Sequence, residues 1–202
     1  PDPVETVEPP QRGERSIVMK APVQPSVLFG YHKPSIHHSD EVVFDAISDI
    51  LGVGRTSRLY RDLVVDKKIA TRVSAFHGFP GSKYPGLFTF SATPSRGHTN
   101  QECIEAIDAA IERLKTELVS DVELKRAKTR SQAGLIRALS SNRGLARQLT
   151  FYEVVTGDWR NLFQQLDELN RVTFQDIQRV AKEYFISAGR TVATIETQRP
   201  SR

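Results

Sequence analysis

The sequence predicts an α+β fold, a mixed and largely antiparallel sheet packed against several helices. Three observations carry this. Strand-like runs come in pairs, at 16–19 with 27–31 and at 70–79 with 86–93. Helical periodicity is grouped, twice between 40 and 65 and then almost without a break from 99 to 184. Grouped helices argue for a layered sheet and against a doubly wound parallel one. The hydrophobic fraction of 39% and the charged fraction of 26% suit a soluble globular chain of 202 residues.

Each element has a local reason. Residues 1–14 are rich in Pro and Glu and lack apolar periodicity, so they read as a linker from a missing upstream domain. The sequence opens at Pro1, and its only methionine, Met19, lies inside a strand-like run. We therefore expect a piece of a longer polypeptide, with a domain over 15–202. Pro22 and Pro25 separate the first two strands. Asp40 is placed to cap a helix whose face holds Val43, Ala46, Ile47, Ile50 and Leu51. Gly52 and Gly54 suit its end, where a left-handed residue costs glycine least. Thr56 or Ser57 would cap the next helix, through about 65.

Phe88, Phe90 and Ala92 alternate with Thr89, Ser91 and Thr93, as in a half-buried strand. The loop 80–85 would join it to 70–79 as an antiparallel pair. Thr99 with Glu102 and Ser120 with Glu123 have the spacing of capping boxes. Ile104, Ile107, Ile111, Leu114 and Leu118 form one helical stripe. A long helical stretch from 121 to about 155 is interrupted near 140–144 and broken at Gly157-Asp158. A short helix holds Leu162, Leu166 and Leu169. Thr173 caps another with Ile177, Val180 and Ala181, and 191–197 is a closing strand.

Bulk properties narrow the function. No apolar run is long enough to span a membrane. The net charge of +4 comes from basic residues dispersed among acidic ones, so no nucleic-acid partner is expected. A lone cysteine, Cys103, excludes an internal disulfide and lies on the apolar side of its helix. The compartment stays open, with bacterial periplasm and cytoplasm both compatible.

The catalytic constellations fall short. His38-Ser39-Asp40-Glu41-Val42 has the frame of an H-x-x-E-H zinc motif, but Val42 replaces the second histidine and has no lone pair to give. Gly52-Val53-Gly54 follows a helix, whereas a dinucleotide fingerprint follows a strand. No serine sits in a G-x-S-x-G elbow. Arg58 and Arg61 are expected to face solvent or pair with carboxylates such as Asp62 or Asp66. No catalytic, metal-binding or cofactor-binding residue is assigned.

The stretch from Leu51 to Leu63, with Gly52, Gly54, Ser57, Arg58 and Leu59, closely resembles a signature of one peptidase family. It is that of the second, non-catalytic half of the pitrilysin/insulinase family of zinc peptidases, which includes the mitochondrial processing peptidases. Phe29-Gly30-Tyr31 with Pro34, Glu123-Leu124 with Ala127-Lys128, and Val172-Thr173 through Tyr184-Phe185 resemble further family segments in the correct order. The resemblance implies a mitochondrial-processing-peptidase-like (LuxS/MPP-like) metallohydrolase fold. It implies a zinc-bearing catalytic half elsewhere, in the same polypeptide or a partner subunit, and no cofactor in this chain. This half would close a chamber and help hold an extended peptide substrate, without performing catalysis itself.

Many such halves carry an Arg and a Tyr after the signature that bind the substrate; here the positions are Val64 and Thr71. Arg72 lies one residue on, a step that turns a strand side chain to the other face. A surface including Arg72, Phe76, His77 and Phe79 is expected to meet substrate or partner, or to self-associate in the isolated chain. The alternative reading is a structural or binding module that has lost activity.

Overall fold

The computed structural model describes residues 8–198. Residues 1–7 of the expected linker and 199–202 of the expected domain lie outside the described residues. Five strands form one sheet: β1 (Arg15–Ala21), β2 (Ser26–Lys33), β3 (Ala70–Phe79), β4 (Gly86–Pro94) and β5 (Arg190–Thr197). Their order across the sheet is β1-β5-β2-β4-β3. Only β1 and β5 are parallel; the other neighbours are antiparallel. The helices are α1 (Glu41–Gly52), α2 (Asn100–Thr116), α3 (Asp121–Leu139), α4 (Asn142–Thr156), α5 (Asn161–Arg171) and α6 (Phe174–Tyr184).

Strand alternation decides which face is covered. Phe29 pairs with Phe90 and Tyr31 with Phe88, so four aromatics share one face. Phe185, just beyond α6, packs on Tyr31, Phe88 and Phe90 at centroid distances of 5.1–5.8 Å. Val73, Ala75 and Val192 complete this buried face, against α1, α2 and α6. Each fully buried Phe contributes about 1.5–3 kcal/mol. The alternate residues Leu28 and Phe76, with Ile17 and Met19 on β1, stay exposed on the opposite, outer face.

Capping follows the local sequence at three helices. Thr99, Ser120 and Thr173 each form a full capping box, the last with Asp176. Ser141 caps α4 after the interruption at 140–141, and Gly157 closes it in the left-handed region. Two expectations change. Asp40 does not cap α1; its carboxylate takes the Arg179 fork at 2.6 and 3.1 Å, and the Tyr184 hydroxyl at 3.3 Å. Those partners hold Asp40 below its usual pKa despite burial, the Arg179 hydrogen bond being the largest cause. Leu118 is exposed because α2 ends at Thr116, and Val119 enters the core in its place.

Candidate functional site

The signature residues form an elbow between α1 and α3. Gly52 does not use a left-handed conformation; a Cβ there would stand 2.2 Å from the Ala75 backbone nitrogen. Its role is to let α1 touch β3 backbone to backbone. Of these two glycines, Gly54 takes positive φ, +80°. Thr56 and Ser57 do not provide the expected side-chain cap. The Ser57 hydroxyl instead donates back to the Gly54 carbonyl at 2.8 Å. The following segment, Tyr60–Asp66, is π-helical, with Lys67 N–H donating to the Asp62 carbonyl five residues back. Leu59 and Leu63 are both fully buried.

Arg58 pairs with a carboxylate, one far along the sequence and not the neighbouring Asp62 or Asp66. Its Nε and Nη2 donate to both oxygens of Glu123, at 2.7 and 2.9 Å. Glu123 also closes the capping box of α3 on Ser120. The Arg58 fork, aided by the Ser120 contacts and opposed by burial, holds its carboxyl at about 2. Arg130 of α3 reaches back to Asp49 at 3.0 Å and to the Val53 carbonyl at 2.6 Å. The elbow's polar groups are thus engaged with one another.

The second constellation was not singled out by the sequence reading. Glu41 and Asp45 lie one turn apart on α1 and face His77 of β3. His77 Nε2 is 2.8 Å from Asp45 Oδ1, and Nδ1 lies 3.3 Å from Glu41 Oε1 without hydrogen-bond alignment. Lys33 Nζ donates to the other Glu41 oxygen at 2.5 Å. Gln165 Nε2 donates to Asp45 Oδ2 at 2.9 Å, and the Tyr152 hydroxyl donates to Gln165. Burial opposes a charged imidazole, but Asp45 and Glu41 outweigh it and raise the His77 pKa to about 9. Glu41 is held below its usual value against burial by His77 and Lys33. Two cations therefore balance two carboxylates. The i, i+4 spacing of Glu41 and Asp45 was the available signal; their histidine partner is visible only in the fold.

This chemistry does not suit zinc. A metal ligand must offer a neutral imidazole lone pair, whereas Asp45 and Glu41 favour the protonated imidazole of His77. His38 Nδ1 accepts from the Asp40 N–H at 3.1 Å, Glu41 is engaged by Lys33, and Val42 packs in the core. Among the described residues, no three His, Cys, Asp or Glu side chains are placed to hold one metal ion. Cys103 is buried, and burial raises its thiol pKa to about 11.

The four expected surface residues divide between the faces. His77 points to the helix side, whereas Phe76 is on the outer face with 37% of its area exposed. A bulge at 77–79 carries Phe79, 46% exposed, to the same outer side as Leu87. A second bulge, at 70–72, cancels the expected alternation between Thr71 and Arg72, and both are exposed. The Thr71 hydroxyl donates to the Thr93 carbonyl at 3.2 Å, and Val64 packs against the core. Neither supplies a guanidinium or phenol.

The described residues thus form an α+β domain whose helices cover one side of the sheet, with an elbow closed by internal contacts and no group of three side chains placed to hold a metal ion. The chain belongs to the family described as the Peptidase M16 inactive domain, whose model matches residues 1–131. It is 31% identical over 180 residues to the zinc protease PqqE of Helicobacter pylori, covering 88% of this chain and 40% of that protein. A solved Helicobacter pylori protease superposes with a TM-score of 0.87 at 28% identity, over 93% of this chain and 45% of that one. The inactive peptidase domain of a Bordetella parapertussis protein gives 0.78 at 28%, over 90% of this chain and 97% of its own. The chain spans about two fifths of the length of the curated relatives it matches. No helix among the described residues is long and apolar enough to cross a membrane.

Proposed function

We propose that this chain is the non-catalytic half of a zinc metallopeptidase-like protein. It closes the peptide chamber and helps hold substrate for a separate catalytic half, which carries the zinc. The observation that supports this best is the outer sheet face. Ile17, Met19, Leu28, Phe76 and Phe79 are 37–59% exposed there, with the packed helices all on the other side. Isolated apolar residues need no explanation, but a face of them invites a partner. A catalytic half in the same polypeptide is the partner that the two-fifths coverage of the relatives suggests.

The test is sedimentation velocity of the chain alone and with the separately produced catalytic half. A one-to-one complex is expected, weakened at least about tenfold by Phe76→Ser with Phe79→Ser, a typical price for truncating two interface anchors. A chain that ignores that half at every concentration would overturn the reading. Val64 and Thr71, in place of a substrate-binding Arg and Tyr, favour the second reading of a structural module. A complex that forms yet shows no zinc-dependent peptide cleavage would select it.

A further inference from the structure

The charge of the chain is unevenly placed. Between Glu123 and Glu153 there is no acidic residue, while the same stretch holds two lysines and five arginines. It builds the hairpin of α3 and α4. Two of its cations turn inward: Lys128 Nζ donates to the carbonyls of Asn170 and Val172, and Arg130 binds Asp49. Lys125, Arg126 and Arg137 of α3 make no ion pair among the described residues. They line an open hollow of ≈ 640 Å³ along the solvent side of α3, together with Val122, Thr129, Ala133, the paired Arg130 and one carboxylate, Asp121, at its start.

We propose that this hollow is a docking groove for extended acidic peptide segments that also carry apolar side chains, a site separate from the outer sheet face. Lys125 and Arg137 lie twelve residues apart, roughly 18 Å along a helix, which about five or six residues of extended chain would span. Alternate carboxylates would meet the cations, arginine forks being suited to carboxylate geometry. Intervening apolar side chains would lie on Val122 and beside Ile136, which are 70% and 69% exposed. A second copy of the chain is disfavoured as occupant because two such faces repel. The apolar part of the lining favours a peptide over a sugar-phosphate polymer or a lipid headgroup.

The probe is a fluorescein-labelled peptide of alternating Glu and Val, compared by anisotropy with its Lys-Val and Gln-Val counterparts. Binding to the Glu-Val peptide is expected, weakening with added salt. Arg126→Gln with Arg137→Gln should reduce affinity at least about tenfold, as loss of two charge-assisted contacts would. Lys125→Glu should do the same, and Arg143→Gln with Arg147→Gln on α4 should change it little. Thermal melts by circular dichroism establish that each variant folds. Equal binding of the Lys-Val peptide, or unchanged affinity in the α3 variants, would overturn the proposal. So would binding only to phosphatidylserine vesicles or to single-stranded DNA. Because the assay needs this chain alone, it is separable from the partner test. Glu-Val binding without any complex would retain the groove and remove the partner reading; a complex without Glu-Val binding would retain the partner reading and remove the groove.

Discussion

An imidazole enclosed by Asp45 and Glu41 couples stability to pH at one residue. The His77 pKa rises from 6.5 to about 9 in the folded chain. Its contribution is therefore fully present below 6.5, declines as pH rises, and is lost above about 9. His77→Gln should flatten the stability profile across that window and lower stability at pH 6 by on the order of 2 kcal/mol. Urea denaturation at several pH values checks this, and a flat wild-type profile would reject the charged imidazole. Leu59 gives a test without charge. It is fully buried in the core, so Leu59→Ala should cost about 2–5 kcal/mol in the same assay. The fate of Leu59 was legible from its spacing to Leu63. That of His77 was not, because strand alternation identifies a face only once neighbouring strands are paired.

Elements are joined here by single side chains that serve two purposes. Glu123 caps α3 and also anchors Arg58, so the elbow and the start of α3 are held together. The carboxyl of Glu123 titrates at about 2 in place of 4.5. Its stabilisation is present above 4.5 and disappears as pH falls toward 2. Arg58→Gln should lose about 1 kcal/mol at neutral pH, a modest figure because the pair is partly exposed, and should show a shallower acid decline. Acid titration of intrinsic fluorescence, followed for both proteins, reads the difference. The capping boxes were legible because their donors and acceptors lie three residues apart. Arg58 and Glu123 are 65 residues apart, and the π-helical turn depends on how Leu59 and Leu63 reach the core. Neither leaves a periodic trace. Gly52 was identified for the wrong reason, since close approach to Ala75 and a left-handed turn ask for the same residue.

For the whole molecule, layering was legible because helices and strands are grouped in sequence. The order of the strands was not, since hydrophobic alternation carries no information about neighbours. Among the described strands, β1 lies at the sheet edge and pairs with β5 alone. Most β1 residues are exposed, so amides at 16–20 should exchange with deuterium before those at 28–31, in the centre of the sheet. Equal protection in the two strands would show that β1 is held by more than its ladder. The same pairing matters while the chain is being made. Of these five strands, β1 leaves the ribosome before all the others and waits for β5, which follows them, a delay of roughly tens of seconds at ordinary elongation rates. Throughout that interval Ile17, Val18 and Met19 form an apolar segment without a ladder, open to chaperones or to another nascent chain.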